Sequence, residues 1–163
     1  MSSRFNSKSS YFHPVTPHGG NINHQPLRDN ILIGGFSGPA GPFRTVSDFH
    51  DWYTTTIGPR ENWGKHSPHP LRSNLPDDAP IVFTHNDLHP SNILLSRGPN
   101  PNILAVIDWQ QSGWYPAYWE YCKARWSTPI GGEWEEKYLP MFVDRWPDGV
   151  YDYWDYFVLA RGV

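Results

Sequence analysis

The stretch FTHNDLHPSN, Phe83 to Asn92, sets His85, Asp87, His89 and Asn92 within eight residues, directly after the apolar run IVF. Working outward, Ile81 to Phe83 reads as a short buried strand that delivers the chain into a polar loop. Behind the loop, NILLS (Asn92 to Ser96) and ILAVID (Ile103 to Asp108) read as two strands. RGPNPN joins them, and its Gly98, Pro99 and Pro101 punctuate a hairpin. A hairpin returns residues far apart in sequence to one end: Asn92 opens the first strand and Asp108 closes its partner, sixteen positions later.

A loop aspartate, an asparagine five positions on, and a second aspartate after a tight hairpin suit phosphoryl transfer. That reaction needs a carboxylate to orient a hydroxyl and accept its proton. It also needs oxygen ligands that hold magnesium against phosphates, because catalysis rests on positioning and charge neutralisation. On this reading Asp87 is the base, and Asn92 and Asp108 are the metal ligands. Two other readings of the same residues stand beside it. His85, Asp87 and His89 alternate, so on an extended segment they project to one side and chelate zinc or iron, as in a metal-dependent hydrolase. That centre needs a third or fourth protein ligand, and no second H-x-H cluster accompanies it. The plainest reading makes them loop residues that satisfy one another near a turn, with His89 a structural hydrogen-bonding group.

HNDLHPSNIL followed by VIDW resembles the catalytic loop and metal-binding segment of the aminoglycoside phosphotransferase family, which has a protein-kinase-like fold and choline-kinase-like relatives. The similarity runs from about Gly41 through GPFRTVSDFHDW and HPLRSNLPDDAPIVFTHND to WYPAYWEYCKARW, and looks most like fungal members. The resemblance implies ATP and Mg2+ as cofactors and a small-molecule hydroxyl as acceptor. It carries over Asp87 as base, Asn92 and Asp108 as magnesium ligands, and His85 as a brace of the loop. Glu120 falls near the position of an acidic residue that hydrogen-bonds the catalytic-loop backbone. Trp109 and Gln110 stand where protein kinases have Phe-Gly, which points to the small-molecule branch.

The rest of the chain bounds these readings. Its 163 residues suit one domain with a sizeable core. Phe, Trp and Tyr make up 16%, so aromatic anchors carry much of the packing. The net charge of −3, without runs of like charge, gives no electrostatic reason to bind nucleic acid or an anionic membrane. No apolar run approaches a membrane span. The lone Cys122 excludes an internal disulfide, and the polar N-terminus lacks a signal-peptide core, so a cytoplasmic protein is expected.

Residues 1–28 lack apolar periodicity and read as a low-complexity tail, with His13, His18 and His24 solvated; residues 29–163 read as the single domain. Within it, 31–43 suggests a short strand and a loop. A helix is expected over TVSDFHDWYTTTIG, capped by Thr45 or Ser47, with Phe49, Trp52, Tyr53 and Ile57 on one face. Residues 60–80 read as a connection with solvent-facing His66 and His69. A later helix starts at Pro116, with Tyr115, Tyr118, Trp119, Cys122 and Trp126 as its apolar stripe, and the tryptophans after residue 109 read as core. Another carries Trp134, Tyr138 and Phe142 and is divided by Pro140, and a last one spans about Tyr151 to Ala160.

The fold class expected is therefore α+β, a kinase-like C-terminal lobe that is mainly helical with a small hairpin bearing the metal-binding aspartate. No G-x-G-x-x-G and no V-A-I-K-like strand occurs, and neither Lys8 nor Lys65 is placed to grip phosphates, so the lobe stands alone. Weak nucleotide binding is expected, and association through the uncovered lobe surface. The competing expectation is a non-catalytic module, pseudokinase-like or a fragment.

Overall fold

The computed structural model describes residues 19–21, 25–33, 39–57 and 69–162. The tail histidines His13, His18 and His24, together with His66, Lys8, Lys65 and the Gly58-Pro59 stop, lie outside the described residues.

Helix α2, Val46–Thr55, forms where the apolar spacing places it. Its start is fixed by a reciprocal capping box: Asp48 N donates to Thr45 Oγ1 at 3.0 Å, and Thr45 N donates to Asp48 Oδ2 at 3.1 Å. Phe49 and Tyr53, four apart, face α3 (Tyr118–Trp126), where Trp119 meets both edge-on at 5.2 and 5.3 Å. Helix α4, Asp148–Ala160, closes the core by placing Trp154 5.6 Å from Trp119 and Phe157 5.6 Å from Tyr53. Trp119, Tyr53, Trp154 and Phe157 have no exposed surface. Each such ring pair adds about 0.5–1.5 kcal/mol beyond its buried area, which is how a chain poor in aliphatic residues holds a core.

Two small antiparallel sheets sit on this aromatic body. The expected hairpin is present, with β2 (Ile93–Leu95) paired to β3 (Ile103–Val106) and a bulge between Leu94 and Leu95. Gly98 takes φ +121° in its turn, a backbone open to glycine and costly for other residues. The second sheet differs from expectation. Strand β1, Ile81–Thr84, pairs with β4, Gly113–Pro116, so Pro116 ends a strand and the helix begins two residues later. Tyr115 therefore reaches the core from a strand, and only Thr84 of β1 is buried: Val82 and Phe83 are 37% and 42% exposed. The tryptophans likewise divide, since Trp119, Trp134 and Trp154 are buried while Trp109, Trp114 and Trp126 are exposed.

The packed body reaches back beyond position 29. Gly20 and Trp114 exchange backbone hydrogen bonds, Phe43 N donates to Gly19 O at 2.7 Å, and Leu27 N donates to Ala40 O at 2.8 Å. A Cβ on Gly20 would come within 3.2 Å of a carbonyl and 3.3 Å of Pro42, tighter than ordinary contact, so a side chain there would press these neighbours apart by a few tenths of an ångström. Leu27 is buried in the main core. The expected strand at 31–33 is instead a helical turn, α1, Asn30–Ile33, because Asp29 supplies its cap: Ile31 N donates to Asp29 Oδ1 at 2.6 Å, and Leu32 N to Asp29 O. His69 is half-buried rather than solvent-facing, and its ring accepts from Leu71 N at the start of the 3-10 turn Pro70–Asn74. Trp134–Tyr138 forms a wide turn, continued by a 3-10 turn at Leu139–Met141, so Pro140 divides this segment as the sequence suggests. Helix α4 begins three residues earlier than expected.

Candidate active site

Strand β1 ends at Thr84, and the next residues form a loop held through both its backbone and its side chains. Glu120, in the first turn of α3, turns its carboxylate under the loop, where Oε2 accepts from His85 N at 2.6 Å and Oε1 accepts from Asn86 N at 3.0 Å. Burial raises the Glu120 carboxyl above its ordinary range, while the two backbone donors, His85 and Lys123 pull it back. Asn86 bends the chain with φ +67°, a left-handed conformation that asparagine tolerates better than most residues. Its fully buried amide donates to Gln111 O at 3.0 Å and Tyr115 Oη at 2.9 Å, and accepts from Trp119 Nε1 at 3.0 Å.

His85 links this loop to the hairpin. Its Nδ1 accepts from Asp87 N at 3.2 Å, so Nε2 carries the proton and donates to Ile107 O at 2.8 Å. Trp109 packs edge-on against the ring at 4.4 Å. Asp87 follows at the half-buried tip. Asn92 reaches it directly, with Nδ2 donating to Asp87 O at 2.8 Å and Asp87 Oδ2 at 3.1 Å. His89 caps the intervening 3-10 turn Pro90–Asn92, its Nδ1 accepting from Ser91 N and Oγ, and its carbonyl accepting from Asn92 N.

On the hairpin side, Ile107 N donates to Asn92 O at 2.9 Å, which ties the start of β2 to the residue before Asp108. Asp108 is exposed, adopts φ 64° and ψ 61°, and spends no side-chain bond on capping the 3-10 turn that follows. The structure thus joins His85, Asp87, Asn92 and Glu120 in one hydrogen-bonded unit, with Asp108 one residue beyond its last backbone bond.

The donor set fits magnesium. That ion is commonly held by one or two carboxylates together with substrate phosphates, and keeps several waters. Asn92 commits its amide nitrogen to Asp87, so a metal there would be held through the oxygen Oδ1, and Asp108 would add a carboxylate. The zinc alternative loses His85, because both ring nitrogens of that residue are engaged. Among the described residues, no three of His, Cys, Asp and Glu cluster for a metal. No helix among them is long and apolar enough to cross a membrane. A groove of about 850 Å3 touches His85 and Glu120, but none of Asp87, Asn92 and Asp108 lines it.

Several supporting residues escaped the sequence reading. Asp29, fully buried, accepts from Trp119 Nε1 at 2.8 Å and pairs with Lys123 Nζ at 3.1 Å. Gln111 Oε1 accepts from Lys123 Nζ at 2.7 Å and Asn30 N at 3.0 Å. The available signals were weak: a capping aspartate before an apolar run, and a lysine four residues after Trp119 on one helix face.

Comparison with known proteins adds one finding. No curated protein and no solved structure matched the chain. The sequence model of the phosphotransferase enzyme family matches residues 69–154, more than half of the chain, and covers the loop, the hairpin and α3. The chain belongs to the phosphotransferase enzyme family.

Proposed function

We propose that the protein transfers the γ-phosphoryl group of ATP to a hydroxyl of a small molecule, with Asp87 as base and Asn92 and Asp108 holding magnesium. The observation that carries this reading is the pair of bonds from Asn92 Nδ2 to Asp87, made inside a loop whose backbone Glu120 fixes from below. It holds a carboxylate and an amide oxygen together without charge repulsion between them. In the reaction the acceptor oxygen bonds to the γ-phosphorus, the bond to the bridging oxygen of ADP breaks, and the hydroxyl proton passes to Asp87. Magnesium, when bound with the nucleotide, neutralises the phosphate charge that builds during transfer.

His85 and Glu120 act on this chemistry through position alone. The Nε2–H of His85 holds the loop to Ile107, and Glu120 keeps two loop N–H groups from pointing at solvent. We read the described body as a C-terminal kinase-like lobe of fungal type. The resemblance of GPFRTVSDFHDW and WYPAYWEYCKARW to fungal members, and the order loop, hairpin, helix, support this.

The test is ATP consumption with magnesium and a panel of small alcohols. Turnover is expected, and Asp87→Asn should reduce it by about 10²–10⁴-fold, the usual contribution of a positioned base. Turnover that survives Asp87→Asn would contradict the assignment.

A further inference from the structure

On the α3 side of the loop lies a second, smaller cavity of about 160 Å3, whose wall includes Asp87, Asn30, Gln111, Lys123, Trp126 and Ser127. Asp87 itself lines it, and its size is below the ~300–1,000 Å3 of drug-sized sites, so it suits a small molecule or one end of a larger one.

The wall carries an unusual cation. Lys123 is nearly buried, its side chain 9% exposed, and its charge is answered by Asp29, which lies behind it with no exposure at all. An ammonium has three N–H donors. Gln111 Oε1 takes one at 2.7 Å and Asp29 Oδ2 takes another at 3.1 Å. Among the described residues the third has no partner, and Lys123 lines the cavity. Gln111 is committed as well, its oxygen shared between Lys123 and Asn30 N, so the lysine is fixed in place before any ligand arrives. Holding a desolvated ammonium with one donor unused is costly unless something completes it.

The signs of the wall restrict what that is. An anionic ligand would meet the Asp87 carboxylate, and a cationic one would meet the Lys123 ammonium. A neutral molecule with several hydroxyls satisfies both, with one hydroxyl donating to Asp87 and another oxygen accepting from Lys123, while its C–H face lies against the half-exposed indole of Trp126.

We propose that this cavity is the acceptor end of the phosphotransferase site and takes neutral polyols, with Lys123 as the specificity-determining residue. The inference rests on the reading of Asp87 as base, and it names the substrate class of that same site.

Binding without nucleotide separates the two claims. Ligand-observed NMR on the full chain, with ribitol and myo-inositol as neutral polyols, 2-aminoethanol as cationic alcohol and glycerate as anionic hydroxy acid, should detect the polyols preferentially. Lys123→Gln strands Asp29, so the paired variant Asp29→Asn/Lys123→Gln, which keeps the region neutral, is used with it. Polyol binding should weaken at least tenfold in the pair. Ser127→Phe leaves that pair intact, obstructs the exposed rim of the cavity, and should abolish binding. Preference for 2-aminoethanol or glycerate, polyol binding indifferent to Ser127→Phe, or no binding of any probe would each overturn the proposal. Polyol binding that persists alongside absent ATP turnover would instead count against the phosphotransferase reading and leave the cavity assignment standing.

Discussion

The loop after β1 and the β2–β3 hairpin each contribute to the candidate site, yet they are built on opposite terms. Asn86 and Glu120 sit in the interior; the loop's backbone N–H groups end on Glu120 of α3, and the Asn86 side chain donates to Tyr115 of β4. The hairpin turns outward: Leu94, Leu95, Ile103 and Leu104 are between 45% and 67% exposed. Its connection to the loop is narrow, through Asn92, Ile107 and His85. The base proposed at Asp87 would have to keep its place to within a fraction of an ångström, and a buried polar network supplies such rigidity. A ligand-bearing hairpin depends on whatever lies over it, and exposed apolar strands of this kind favour association.

The contrast is broken most directly at Asn86. Alanine there removes the bonds to Gln111 O, Tyr115 Oη and Trp119 Nε1, the last of which keeps Asp29, and strains a left-handed backbone, for an expected loss of about 2–4 kcal/mol. A urea midpoint equal to the parent's would show that the loop is no more tightly built than the hairpin. Glycine at the same site keeps the backbone freedom and should lose less.

Acid tests the body that carries the loop. His50, fully buried on α2, joins Asp77 Oδ1 and Tyr118 Oη, both at 2.7 Å, and so braces α2 against α3. Burial pushes its imidazole down from the usual 6.5 to about 4, against the opposing hydrogen bond of Asp77. It is therefore neutral at pH 7, with Nδ1–H donating to Asp77 and Nε2 accepting from Tyr118, and no charged ion pair is formed. Between pH 6.5 and about 4 the unfolded chain binds the proton and the folded chain does not. Stability is thus full above 6.5 and falls as the pH drops, by about 3 kcal/mol in all. Denaturation followed across that window should record the decline, and His50→Gln should flatten it. An equal decline in both proteins would assign the acid sensitivity elsewhere.

Glu120→Gln sharpens the comparison by replacing one loop acceptor with an amide donor. Because its shape is kept, a loss of about 1–3 kcal/mol is expected. If the reading of Asp87 holds, turnover should fall more steeply than stability alone explains. The smallest effect belongs to the hairpin. Leu104→Ser, at a residue 67% exposed, should change stability by less than about 0.5 kcal/mol while reducing self-association in sedimentation runs. A larger loss would mean that the hairpin packs against more than this fold contains.

Much of this molecule was legible before its coordinates. The capping box at Thr45 and Asp48, the hairpin around Gly98, the division at Pro140 and the buried Cys122 follow from contacts within a few residues or from plain periodicity. Strand β4 was not legible, because GWYP has no strand signature of its own and exists by pairing with β1 on one edge and Gly20 on the other. Misreading it moved Tyr115 onto a helix and left β1 without a partner. Asp29 was hidden for the same reason: its partners Trp119 and Lys123 lie some ninety residues away.

The sequence by itself determined the local devices and the residue types of the loop, since caps, turns and a D-x-x-x-x-N spacing are set by neighbours along the chain. The tertiary structure alone decided that Asn92 Nδ2 meets Asp87, that Asn86 joins Tyr115 and Trp119, and that a buried lysine lines a cavity beside the aspartate. These contacts join segments whose approach is dictated by the packing of the aromatic core, and no periodicity records which side chains that packing brings together.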